Sequence, residues 1–198
     1  MPKFTLVLTL ICVAVSAQAS TIFTDGFNWL SDVPLYTTVP SGGTIGPWTV
    51  GGSGVDHIGT YWTSAEGNGS IDMSAMDAGS LSTTLVTNVG QNYTLSFYLA
   101  GNLAGGNTVK QLNVQVGNLN QTFSFDTTGQ SLTSMGWVLD SASFTATADT
   151  TLTFTSLEAN PFGPALDLVT VSTVVPEPAT YAFVMLGLAG IGLFRRRR

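Results

Sequence analysis

The chain has 198 residues, a single cysteine and a single histidine, six Lys and Arg against twelve Asp and Glu, and a formal net charge of −6. The charge is unevenly spread: residues 20–175 hold one base, Lys110, and eleven acids, a net of −10. Such a surface repels phosphates rather than neutralising them, which excludes nucleic acid as a partner, and one histidine cannot make a histidine-based zinc cluster.

Residues 1–19 read as a signal peptide. Lys3 is the positive start, Phe4 to Val15 the apolar stretch, and Ala17-Gln18-Ala19 a small-residue cleavage site. The chain is thus expected to use the Sec translocon and signal peptidase and to mature near Ser20. Cys12 leaves with that peptide, so the mature chain can form no disulfide in a compartment that would allow one. The remaining length suits one domain of about 150 residues with a substantial core.

Residues 20–174 are expected to form that domain. Thr21-Ile22-Phe23 reads as a first strand. Residues 31–80 are irregular and rich in Gly and Ser, and are expected to form long loops at one end of the fold, with Trp48 to Val50 as a strand among them. Beyond residue 90 the pattern is clear. Tyr93, Leu95, Phe97 and Leu99 share one strand face, as do Leu112, Val114 and Val116. Phe123 with Phe125, Ala142 with Phe144 and Ala146, and Leu152 with Phe154 continue the alternation, and Ala165 to Val174 closes it. Gly90-Gln91-Asn92, Gly101 to Asn107, Gly117-Asn118 and Thr127-Thr128-Gly129 are the turns. Eight to ten short strands of this kind predict an all-β protein, an antiparallel β-sandwich of jelly-roll type.

Two groups of side chains carry possible chemistry. Asp56, His57, Tyr61, Trp62 and Glu66 lie close in sequence and combine flat aromatic rings with carboxylates, the combination that sugar recognition needs. Trp48 and Trp137 are expected to be core aromatics, whereas Tyr61 and Trp62 are adjacent and would point to opposite faces of a strand. Asp167 shares a strand face with Val169 and Val171. If that face is the core, the carboxylate needs backbone N–H donors or a cation to offset its desolvation. Structural calcium, with Asp25 as a second ligand, is one solution; hydrogen bonding alone is another, and a surface position for Asp167 a third. Enzymatic readings find little support. No Gly-x-Ser-x-Gly elbow accompanies His57, and Asp56 with Glu66 as a glycosidase pair rests only on the ease of pairing eleven acids.

The C-terminus is an address. Pro176-Glu177-Pro178 precedes an apolar membrane segment, residues 179–194, and then Arg195, Arg196, Arg197 and Arg198. The stretch from Tyr181 to Phe194 would make a helix of about 21 Å against a hydrocarbon core of about 30 Å. It is expected to be a transmembrane helix that stops transiently in the membrane with its arginines cytoplasmic. In order and position, residues 175–198 resemble the PEP-CTERM sorting signal of Gram-negative bacteria. That resemblance implies processing by an exosortase at the inner membrane, release to the cell surface or extracellular matrix, and association with exopolysaccharide.

The domain also resembles the choice-of-anchor C family. The shared segments are Gly46-Pro47-Trp48-Thr49-Val50, Val55-Asp56-His57-Ile58, Tyr61-Trp62, Gly69-Ser70-Ile71-Asp72-Met73, Gly90 to Phe97, Ala100-Gly101-Asn102 and Gly163 to Asp167. The resemblance implies a galactose-binding-like jelly roll, similar to a plant cell-wall domain, located at the surface. It also implies a calcium site near the opening Asn-Gly-x-Phe-Glu pattern. This chain has Asp25-Gly26-Phe27-Asn28 there, with an amide where the pattern has an acid. The sequence therefore predicts an exported, non-catalytic, carbohydrate-binding surface protein, with a structural matrix or surface protein that binds no specific glycan as the alternative and a glycan-cleaving enzyme last.

Overall fold

The computed structural model describes residues 19–29, 35–147 and 150–173. The signal peptide up to residue 18, the sorting motif, the membrane segment and the four arginines lie outside the described residues. Ser20–Val174 forms one compact unit, and all of the hydrophobic core described below falls within it.

The fold is a two-sheet antiparallel jelly-roll sandwich of thirteen strands, without helix among the described residues. The strands are β1 (Thr21–Asp25), β2 (Tyr36–Val39), β3 (Thr44–Ile45), β4 (Trp48–Gly52), β5 (Val55–Ile58), β6 (Ser70–Asp72) and β7 (Gly79–Thr84). They continue as β8 (Asn92–Gly101), β9 (Val109–Val116), β10 (Leu119–Asp126), β11 (Val138–Thr145), β12 (Thr151–Ser156) and β13 (Pro164–Thr173). One sheet runs β11-β8-β13-β6-β5-β2, with β1 also on β13; the other runs β10-β9-β12-β7-β4-β3.

The alternation seen after residue 90 is the physical cause of the sandwich. Tyr93, Leu95, Phe97 and Leu99 of β8 are buried, and Leu112, Val114 and Val116 of β9 face them from the other sheet. Between the sheets, Phe97 meets Phe154 edge-on at 5.2 Å and Phe123 at 5.1 Å, and within the second sheet Trp48 packs on Phe154 at 5.8 Å. Burial of these rings is the main driving force. Trp48 is fully buried, as expected, but Trp137 is only half-buried and donates its indole N–H to the Thr63 carbonyl at 2.9 Å.

Residues 31–80 depart from expectation. Instead of long terminal loops they supply β2 to β6 and the start of β7, and β4, β5 and β6 sit inside the two sheets. Strands of two to five residues are too short to display a period of two, and their turns are made by closely packed glycines. Gly79 is the clearest: a Cβ there would collide with the Gly54 carbonyl and stand 2.6 Å from that of Met73.

The long strand β13 carries the feature that shapes the site. Its first half pairs with β6 through Ala165 and Leu166, and its second half pairs with β1 through Val169 to Ser172. Between the two lies a bulge, between Asp167 and Thr170, in which Leu168 takes φ 39°. The bulge opens a gap between β6 and β1 on the same side of β13. The β5–β6 loop fills that gap.

Candidate functional site

Strand alternation divides the sequence cluster. Val55 and His57 of β5 face the core, while Asp56 faces outward. His57 is 2% exposed and its Nε2 lies 2.6 Å from the Phe27 carbonyl, so the imidazole is a structural strut. Burial pushes its pKa down. Trp62 is also in the core, 3% exposed, and donates its indole N–H to Ser70 Oγ at 2.8 Å. His57 therefore offers no exposed polar atom to a sugar hydroxyl, and Trp62, turned inward in the β5–β6 loop, does not offer the ring face expected for stacking. Its neighbour Tyr61 remains half-buried at the surface.

Asp56 and Tyr61 meet in a cleft of about 250 Å³ on the outer side of β2, β5 and β6. Tyr36 and Tyr61 form one wall, edge to face with centroids 6.0 Å apart. Phe162, seated over Gly105, contributes a further ring. Asp56 stands opposite Asp72 in the β5–β6 register and accepts a hydrogen bond from Thr38 Oγ1 at 2.6 Å. Burial pushes the Asp56 carboxyl upward. Asp72 is sealed more completely: it accepts the Ser74 and Gly163 N–H groups at 3.1 and 3.0 Å and Asn102 Nδ2 at 2.7 Å. Desolvation still prevails over these donors and the nearby Asp56 adds to it, raising Asp72 to about 7. Tyr36, Asp72, Asn102 and Phe162 were not among the residues singled out from sequence. Only the topology, which lays β2 beside β5 and brings the β8 end to β6, assembles them.

Glu66 belongs elsewhere. It is exposed, lines a separate pocket with Asn28 and Trp29, and accepts Asn28 Nδ2 at 2.8 Å. Asp56 and Glu66 therefore line different depressions and do not form a facing carboxylate pair. Asn28 explains the departure from the acidic pattern at this position. Its Oδ1 accepts the Asn68 and Gly69 N–H groups at 2.7 and 2.9 Å while its Nδ2 donates to Glu66, and a carboxylate could not make that last bond.

Asp25 and Asp167 are buried as expected for a core-facing position, but their partners are nitrogens. Asp167 accepts the Ala65, Glu66 and Leu168 N–H groups at 2.8, 2.9 and 2.7 Å, which ties the β5–β6 loop into the gap beside the bulge. Desolvation nevertheless raises Asp167 to about 7, with Glu66 nearby adding to it. Asp25 accepts the Phe27 N–H at 2.9 Å, the Trp29 indole at 2.9 and 3.1 Å, and the Trp48 indole at 2.8 Å. Calcium needs oxygen ligands and would compete for the lone pairs these donors occupy. Among the described residues, no three His, Cys, Asp or Glu gather as a metal-holding group. The residues present do not fit a calcium shell built on Asp25 and Asp167; N–H donors offset the desolvation instead.

The lone base of the domain is hidden. Lys110 falls on the inward face of β9 in step with Leu112, is fully buried, and donates to the Gly105 carbonyl at 2.7 Å. Burial lowers its pKa. The surface of the domain is left without an exposed cation among the described residues.

Comparison with known proteins agrees with this architecture. Residues 31–172 match the family described as "Protein of unknown function (DUF642)", and residues 174–198 match the PEP-CTERM protein-sorting motif. Halomucin from Haloquadratum walsbyi (strain DSM 16790 / HBSQ001) is 29% identical over 169 residues, which is 80% of this chain and 2% of halomucin, so the chain spans a small fraction of that relative. The CBM22-1 xylan-binding domain from Paenibacillus barcinonensis Xyn10C superposes with a TM-score of 0.50 at 17% identity, covering 82% of this chain and 99% of that domain. CBM35 from Paenibacillus barcinonensis gives a TM-score of 0.46 at 16% identity, covering 70% and 99%. The fold is thus that of carbohydrate-binding-module sandwiches, and the chain, which carries a C-terminal PEP-CTERM sorting motif, belongs to the DUF642 family.

Proposed function

We propose that this protein is an exported, exosortase-processed, non-catalytic carbohydrate-binding module, released to the cell surface or matrix of a Gram-negative bacterium and associated there with exopolysaccharide. The choice-of-anchor C resemblance and the likeness to a xylan-binding domain support the reading. The observation that carries it is the Tyr36–Tyr61 cleft. Two aromatic edges, a third ring from Phe162, and Asp56, Asp72 and Asn102 converge on one depression. Pyranose rings present C–H faces that pack on aromatic rings and hydroxyls that donate to carboxylates. With no cation among the described residues that line it, the cleft suits neutral sugars rather than uronates.

The test is equilibrium binding of residues 20–174 to xylohexaose, cellohexaose, chitohexaose and polygalacturonate. Binding of at least one neutral glycan is expected, with Tyr61→Ala weakening it about tenfold, equivalent to about 1.4 kcal/mol, and with no binding of polygalacturonate. Retention of all four no better than that of a charge-matched control protein would sink the proposal and favour a surface-coat role without specific glycan binding. New reducing ends would instead favour an enzyme.

A further inference from the structure

A second aromatic surface lies on the far side of the β5–β6 loop. Trp29 is 58% exposed, yet its indole is anchored through Nε1 to both oxygens of Asp25. A tryptophan side chain has two torsions, so a fixed N–H leaves the ring little freedom. Below the ring lies Gly46 at φ 51°, where any Cβ would collide with the indole. The ring therefore rests on backbone and shows its opposite side to solvent. Trp29 is one wall of an open pocket of about 570 Å³, whose other lining residues are Thr24, Asp25, Gly26, Asn28, Glu66 and Leu168. Glu66 gives Oε2 to Asn28, while Oε1 has no hydrogen-bond partner among the described residues. Among the described residues no basic side chain lines the pocket.

A flat, pre-oriented indole beside an available carboxylate oxygen, with no cation, is unsuited to phosphates and nucleotides and matches the C–H face and hydroxyls of a neutral sugar. We propose that Trp29, with Glu66, forms a second sugar-binding site for a pyranose of a neutral polysaccharide, separate from the Tyr36–Tyr61 cleft. This inference rests on the glycan-binding reading and extends it. The two sites share no lining residue, but one loop serves both: Tyr61 lines the first and Glu66 the second. Two sites on one rigid sandwich let a long chain engage twice, so that polymer affinity exceeds that of either site.

The experiment compares wild type, Trp29→Phe and Tyr61→Ala in the processed chain, residues 20–174. It reads acrylamide quenching of tryptophan fluorescence with and without xylohexaose, cellohexaose and chitohexaose, and affinity for the corresponding soluble polymer. Circular dichroism melts confirm that each variant is folded. Trp48 and Trp62 are buried and Trp137 is half-buried, so quenching reports on Trp29 and Trp137, and the glycan protection lost in Trp29→Phe is the part that belongs to Trp29. Tyr61→Ala is expected to keep that protection and Trp29→Phe to lose it, each variant binding polymer about tenfold more weakly than wild type. Protection that survives unchanged in Trp29→Phe, or vanishes in Tyr61→Ala, overturns the second site and leaves the first standing. A wild type that responds to none of the glycans overturns both.

Discussion

Asp25 shows what a single carboxylate does in this domain. One oxygen holds the Phe27 N–H and the Trp29 indole, and the other the Trp48 indole, so one side chain orients a surface ring and a core ring together. Asp25→Ala would leave the buried Trp48 N–H without an acceptor, a cost of about 3 kcal/mol. For a domain of this size that is a fall in Tm of roughly 10 °C, measurable by calorimetry. A change below a degree or two would show that another group accepts the Trp48 N–H. Asp25→Asn keeps an acceptor oxygen and is expected to lose less. From the sequence Asp25 reads as a tentative calcium ligand, whereas the hydrogen bonds it makes in the fold run to a backbone N–H and two indoles. Nothing in a linear pattern says that Trp29 and Trp48, four and 23 residues away, converge on it.

At the scale of elements, the bulge in β13 and the β5–β6 loop form a unit. Asp167 reaches across from the bulge to the Ala65 and Glu66 N–H groups, more than a hundred residues distant in sequence. This tie holds the loop that presents Tyr61 on one side and Glu66 on the other. Since the tie is made of N–H donors, a chelator should leave the Tm of the mature domain unchanged. Binding of a cation to the folded state alone must raise stability, so a Tm that drops on adding EDTA and recovers with calcium would show that the carboxylates rearrange to hold one. Asp167→Ala, by contrast, is expected to free the loop, with faster amide exchange at Ala65 and Glu66 than in β8. The alternation of Asp167 with Val169 and Val171 was legible in the sequence. The bulge was not, because Leu168 carries no glycine to signal its positive φ.

The whole molecule has an unusual pH dependence written into its charge. Asp72 and Asp167 are both raised to about 7 in the folded state, against an ordinary value of 3.8. Between roughly pH 4 and 7 the folded protein therefore holds two protons that the unfolded chain has released. Stability contributed by these groups is greatest at the acidic end of that window, falls as pH rises through it, and is flat above. The denaturation midpoint of residues 20–174 should be higher at pH 5 than at pH 8, and Asp72→Asn should reduce the difference. A midpoint that rises from pH 5 to pH 8 would mean that the N–H donors around the two carboxylates outweigh their burial.

Read as a string, the chain determines its destination and its class of fold. Export and the sorting motif follow from local runs, which need no folding to exist. The sandwich follows from period-two burial wherever a strand is long enough to show it, as in β8, β9 and β12. The site was decided by tertiary structure. Adjacent residues face opposite sides of a strand, so Asp56 reaches the surface while His57 enters the core, and the β5–β6 loop turns Tyr61 outward and Trp62 inward. The short strands between residues 36 and 72 acquire meaning only through their neighbours in the sheets. Tyr36 meets Tyr61, and Trp29 meets Asp25 and Gly46, because pairing and packing fold those segments together, and hydrophobic periodicity does not encode which distant segments will touch.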